Sequence, residues 1–284
     1  MIKGIDLGGS YLKVLNEDGS KEIYKIREFK NDRHRLLGIL KDVVKNGHPE
    51  KVGLAVAGFV SLDGYLQKSP NLPALDGVNL KKELGENVFI FNDVSAGAYG
   101  VWSSEAKDSR IFLFIALGTG LGAGFVIDGK PFLGASGSAL EVGHHTLRVG
   151  GERCSCGRRG CWEAYCSSYA LERDFKILSG KALEAYEVIK LAKAGDRDAL
   201  KVIKRLRRYL VIGLMNVIHI FNPDVVAIGG GLGISLADFF VGLEKDVRSR
   251  CEALPGNAFK LFFSRCGQFC MAKGALELVR KGYI

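Results

Sequence analysis

The chain has 284 residues, 47% hydrophobic and 25% charged, with 40 Lys and Arg against 31 Asp and Glu and a formal net charge of +9. This composition excludes extensive disorder, and the length predicts two α/β domains of ordinary size. The 37 glycines have no Gly-X-Y period, which excludes collagen, and the longest apolar run, Tyr209 to Phe221, is too short to span a bilayer, which takes ~20 residues.

In chain order, the first sixteen residues read as strand, glycine turn, strand, with Gly8, Gly9 and Ser10 in the turn. An acidic residue at position 6 interrupts any signal-peptide apolar region, so a cytoplasmic protein without a membrane partner is expected. Apolar residues at helical spacing predict an amphipathic helix over 32–46, stopped by Gly47 and Pro49. Segments 51–57 and 88–91 read as buried strands. A polar stretch at 105–110 places a domain boundary at 108/109, after which a strand over 111–117 leads into Gly118-Thr119-Gly120-Leu121-Gly122. The Asp128-Gly129 pair marks a hairpin between 122–127 and 131–133. The second half thus restarts as the first did, which predicts two related halves facing a common cleft. Helices are expected over 163–178, 196–221, 237–250 and 271–280, with strands at 225–228, running into Gly229 to Gly233, and at 260–264.

Three glycine turns after three buried strands favour a ligand with several phosphates, because main-chain N–H groups can converge on an anion where no side chain intervenes. Each turn alone is equally a structural hairpin. Asp6 is placed to hold Mg²⁺ directly or through water, and Ser10 or Thr119 to donate hydroxyls to phosphate. Lys13 is near in sequence, although strand alternation can aim it elsewhere. Gly124 to Lys130 satisfies G-x-x-x-x-G-K, but Pro131 replaces the hydroxyl residue and the segment reads as a hairpin, so it is not a P-loop. No glycine cluster has the G-x-G-x-x-G spacing, which disfavours a nicotinamide enzyme.

Asn92-Asp93 ends a buried strand. Asp93 is either an ordinary helix cap or a general base that accepts a hydroxyl proton. His144 with Cys154, Cys156 and Cys161 makes a complete tetrahedral Cys₃His set for Zn²⁺, closed and therefore structural, with His145 and Cys166 as alternates; clustered free thiols are the other reading. The seven cysteines are odd in number, and in a reducing compartment their crowding points to metal rather than disulfides. Glu141 and Glu163 flank the loop, as sugar-hydroxyl acceptors or as solvated surface groups. Lys201, Lys204, Arg205, Arg207 and Arg208 lie on one helix, where a solvated face is expected rather than a nucleic-acid site.

Together these motifs resemble the ROK family of sugar kinases and repressors, across essentially the whole chain. Asp6 to Ser10 is similar to its first phosphate motif, Leu117 to Gly122 to its second, and Ile228-Gly229-Gly230-Gly231 to its adenosine-side turn. Glu141-Val142-Gly143-His144, the cysteine loop and Gly160-Cys161-Trp162-Glu163 are similar to its signature. The resemblance implies a two-domain actin/hexokinase-like (ribonuclease H-like) fold with an interdomain cleft. The first domain, 1–108, would be completed by 271–284, and the second, 109–270, would carry the zinc loop. The resemblance also implies an ATP-dependent hexokinase, with glucose foremost. N-acetylglucosamine, N-acetylmannosamine or fructose kinases, and a sugar sensor without turnover, are the alternatives. It assigns Asp93 as the catalytic base, Asn92, Glu141, His144, Glu163, Gly58 and Asn71 to the sugar, and a homodimer as the assembly. Leu140, Ala57 and Ser168 depart from its usual glycine, proline and glycine. With Asp6 already in the first strand, an amino-terminal DNA-binding helix-turn-helix is not expected.

Overall fold

The computed structural model describes residues 1–283, which divide into two compact units. One comprises Met1–Ser109, Gly124–Leu140 and the segment from Cys266 onward; the other comprises Arg110–Ala123 and Glu141–Arg265. The hairpin 124–140, which the sequence reading placed in the second domain, thus belongs with the first. The reason is close packing there: Gly124 lies against Val94 O and Ala98 Cβ, and Gly129 against the Trp102 ring.

The first unit opens with an antiparallel meander, β1 (Ile2–Leu7), β2 (Tyr11–Asn16) and β3 (Lys21–Lys25). Helix α1 (Arg33–Lys45) follows, capped by Asp32, whose side chain accepts from Arg35 N, and it buries Leu36, Leu40, Val43 and Val44. β4 (Lys51–Val56) lies parallel to β1. A small antiparallel sheet of β5 (Phe59–Val60), β6 (Tyr65–Lys68) and β7 (Val78–Asn79) precedes the short α2 (Leu80–Leu84). β8 (Val88–Asn92) then returns parallel to β4 and runs straight into α3 (Asp93–Glu105). The sheet order is β3-β2-β1-β4-β8.

A second sheet repeats that order as β11-β10-β9-β12-β13. Its members are β9 (Ile111–Leu117), β10 (Leu121–Ile127), β11 (Lys130–Pro131), β12 (Val225–Gly229) and β13 (Lys260–Phe263). Asp128 and Gly129 connect β10 to β11 with φ of 49° and 75°, as a two-residue hairpin turn requires. The helices of the second unit are α4 (Ser168–Ser179), α5 (Ala185–Lys193), α6 (Arg197–Phe221), α7 (Gly230–Ser235), α8 (Leu243–Arg248) and α9 (Ala253–Ala258). α6 is capped by Asp196 and ends at Asn222, in the left-handed region before Pro223. Its basic stretch is largely paired: Lys201 with Asp198, Arg205 with Glu152 and Asp174, Arg207 with Asp246.

Helix α10 (Cys270–Arg280) returns to the first unit, where it packs on β1, β4 and α3. The crossing of α3 with α10 leaves no room for side chains: a Cβ on Gly274 would lie 1.6 Å from Ala96 O. Cys266 and Cys270 are joined by a disulfide, a linkage the sequence reading did not anticipate. Among the described residues, no helix is long and apolar enough to cross a membrane.

Candidate functional site

Parallel register brings the candidate residues of the first unit together. Leu7 pairs with Val56, and Val56 with Asn92, so the turn Gly8-Gly9-Ser10, the Ala57-Gly58 corner and Asp93 all leave one edge of the first sheet. Asp6 and Lys13 are directly opposed across β1 and β2, which puts both side chains on one face. Their charged ends are 3.3 Å apart. Burial raises the Asp6 carboxyl above its usual range, and Lys13 only partly offsets this. Gly8 N donates to Tyr11 O at 3.0 Å, and Gly9 lies against Asn71, so that loop residue does flank the first glycine turn.

The alternatives for Asp93 part company here. Asn92, not Asp93, caps α3: its Oδ1 accepts from Ser95 N at 2.9 Å, while its Nδ2 donates to Gly58 O at 3.1 Å. Asp93 is the first helical residue, and its Oδ1 accepts from Val94 N at 2.9 Å. Withdrawal from water, then the nearby Asp6 carboxylate, push the Asp93 carboxyl up to about 6. A carboxylate with that affinity for a proton, relieved of capping, is equipped to take one from an alcohol.

In the second unit β12 pairs with β9 in parallel, Gly229 opposite Ala116, so the two glycine clusters again share an edge. Gly118 N donates to Gly120 O at 2.9 Å, and Gly118 O accepts from Ser168 N at 2.9 Å. Thr119 is exposed at the tip and Gly122 already lies within β10. The third cluster is not a turn. Gly230 and Gly231 begin helix α7, because Gly230, at φ +79°, redirects the chain while packed against Leu117 O. It still offers main-chain donors, as a helix start.

The donor atoms of His144, Cys154, Cys156 and Cys161 all lie within 4.8 Å of one another. His144 Nδ1 is 3.7 Å from Cys154 Sγ, and Cys156 Sγ is 3.7 Å from Cys161 Sγ. Zn–S bonds of ~2.3 Å in a tetrahedron separate sulfurs by ~3.8 Å, so the set fits zinc. Without a cation, burial first and then the neighbouring sulfurs push the Cys161 thiol up to about 12; a dication removes that obstacle to forming thiolates. The alternates are engaged elsewhere. Cys166 is fully buried with its thiol on Leu206 O, and His145 turns Nδ1 to Val142 O. Tyr169 and Ser155, which sequence reasoning missed, join this site: Tyr169 Oη donates to Cys154 Sγ at 3.7 Å, and Ser155 Oγ to Glu163 Oε1 at 2.6 Å. Ser155 was findable in principle, as the residue inside C-x-C.

Glu163 is neither solvated nor free. It is buried, on the 3₁₀ turn Trp162–Ala164, with Trp162 packed into the space left by Gly213. This turn replaces the first part of the helix expected over 163–178, which starts only at Ser168. Glu141, by contrast, is exposed, just before the 3₁₀ turn Val142–His144.

The residue before it is unusual: Leu140 has φ +67°, a left-handed conformation that costs a leucine ~1–2 kcal/mol. That explains a glycine preference at this position. Leu140→Gly is expected to raise the melting temperature by about 2–4 °C, roughly 1 kcal/mol for a chain of this size, and Leu140→Val to lower it; thermal denaturation checks both.

A cavity of about 900 Å³ lies between β3 and α1, lined by Tyr24, Phe29, Val43 and His48 and by none of the candidate residues.

A repeated sheet plan, glycine clusters at strand ends and a Cys₃His loop define a class of proteins, and the ROK family profile matches residues 2–282. The chain belongs to the ROK family, and its fold is the two-domain actin/hexokinase-like one. It is 33% identical over 234 residues to the xylose repressor of Bacillus subtilis, covering 80% of this chain and 60% of the repressor. It therefore spans about 60% of the length of the two Bacillus xylose repressors it matches. It is 34% identical over 255 residues to the N-acetyl-D-glucosamine kinase of Aliivibrio salmonicida, covering 82% and 84% of the two chains. Among solved structures, the ROK hexokinase from Thermus thermophilus superposes with a TM-score of 0.86 at 28% identity. A ROK family glucokinase from Streptomyces griseus, in complex with glucose and AMPPNP, gives 0.83 at 26%; each match covers 99% of both chains.

Proposed function

We propose that this protein is an ATP-dependent hexose kinase acting on the primary hydroxyl, with glucose the foremost substrate. The observation that carries the reading is Asp93: a carboxylate at the start of α3 whose capping duty falls to Asn92 and whose proton affinity is raised to about 6. In the proposed reaction Asp93 accepts the hydroxyl proton as the sugar oxygen attacks the γ-phosphorus, the bond to the bridging oxygen breaks, and ADP leaves. Asn92, Gly58, Asn71, Glu141, His144 and Glu163 hold the sugar. Main-chain donors of Gly8, Gly9, Gly118, Gly120, Gly122, Gly230 and Gly231, with Ser10, Lys13 and Thr119, hold the nucleotide phosphates. Asp6, buried and only partly compensated by Lys13, is the residue suited to Mg²⁺, which would neutralise phosphate charge. Zinc in the Cys₃His set is structural and acts through the positions of Glu141, His144 and Glu163. The family resemblance supports a homodimer working in the cytoplasm.

The likeness to xylose repressors favours a second reading, a sugar sensor without turnover. Coupled ADP release over glucose, N-acetylglucosamine, N-acetylmannosamine and fructose separates the two. Turnover is expected, fastest with glucose. A sugar that raises the melting temperature while no sugar releases ADP would establish the sensor, and a preference for an N-acetylhexosamine would reassign the substrate.

A further inference from the structure

In the second unit one carboxylate ties together two loops that are about forty residues apart in sequence. Glu163 is only 7% exposed. Its Oε2 accepts from Leu121 N at 3.1 Å, at the exit of the second glycine turn. The preceding residue must be glycine for this approach, since a Cβ on Gly120 would sit 2.4 Å from that same oxygen. Oε1 accepts from Ser155 Oγ at 2.6 Å and lies 3.5 Å from Cys154 Sγ. Ser155 stands between Cys154 and Cys156, and Glu163 follows Cys161 by two residues. The carboxylate is thus joined to one end of the cysteine loop through the chain and to the other through a hydroxyl, and its remaining oxygen holds the glycine turn. A buried carboxylate keeps its place only while such donors are in position. Ser155, set between two of the four ion-ligand candidates, is placed by the loop that an ion would close.

We propose that Glu163 is a positioning residue that couples ion occupancy of the Cys₃His set to the order of the turn Gly118–Gly122. On the reading of that turn as a phosphate cradle, the metal loop then governs affinity for the nucleotide as well as for the sugar. The coupling is reciprocal, so a nucleotide analogue tightens retention of the ion.

The test is amide hydrogen exchange on the whole protein, zinc-loaded and chelated, read at Leu121 and its neighbours, with peptides from β1 and β4 as the folding control. In the wild type, chelation is expected to speed exchange at Leu121 at least about tenfold. In Glu163→Gln the loaded protein already exchanges fast, and chelation adds less than about threefold. Ser155→Ala, which alters neither an ion ligand nor Glu163, should lose more than half of the wild-type response, and it carries the test if Glu163→Gln does not fold. An unchanged Leu121 rate on chelating the wild type, or equal acceleration in both variants and the wild type, overturns the proposal. Titration with AMPPNP keeps the two readings apart. About tenfold weaker binding after chelation supports the coupling to nucleotide, whereas exchange coupling without any AMPPNP binding retains the strut and refutes the phosphate cradle.

Discussion

Asp93→Asn is expected to lower hexose phosphorylation by a factor of about 10²–10⁴, the usual contribution of a positioned general base. Asparagine has nearly the same shape, and its carbonyl oxygen can keep the contact with Val94 N, so the start of α3 survives. It cannot take the hydroxyl proton. The same substitution should stabilise the fold at neutral pH, because it removes a charge that is poorly hydrated and faces Asp6. The folded value of about 6 lies above the ordinary 3.8, so ionisation costs the folded state stability as pH rises from about 4 to 6. Melting temperatures of variant and wild type should coincide below pH 4 and diverge across that window, the variant remaining higher above it. Wild-type turnover should fall as pH drops through 6. A variant that keeps turnover within tenfold of the wild type would remove Asp93 from the reaction.

Loss of the ion should produce the second large effect. Elemental analysis is expected to find zinc bound stoichiometrically, and Cys154→Ser or exhaustive chelation to lower the melting temperature by roughly 10 °C, since binding to a preformed set adds directly to folding stability. The direction with pH follows from the thiols. Burial holds Cys161 near 12 without a cation, so binding must expel protons and should weaken as the solution is acidified. A protein that melts at the same temperature with and without chelator would show that the four residues hold no structural ion.

Much of this was legible from local chemistry. Glycine clusters after buried strands, the Asp128-Gly129 hairpin and the C-x-C-x₄-C loop rest on short-range constraints of φ, register and ligand spacing. What escaped depended on tertiary neighbours. Asn92 and Asp93 are both good caps, and only the bond from Ser95 N tells which one does it. Whether Lys13 faces Asp6 turned on hairpin register, invisible without the number of turn residues. Gly230 and Gly231 read as a third turn because glycine weakens any helical signal, although one left-handed residue suffices to start α7. Strands of two residues, such as β5 and β7, have no period to detect. From its residues alone Glu163 read equally as a sugar contact or a surface group, because nothing in the sequence reveals that Leu121 N lies beside it.

The contribution of α10 to the first unit has a consequence for synthesis. The apolar faces of β1, β4 and α3 are synthesised before the helix that covers them, with more than a hundred residues intervening between α3 and α10. Nascent chains must therefore carry that uncovered surface until α10 has been made, which makes chaperone binding and premature termination the natural hazards of this topology.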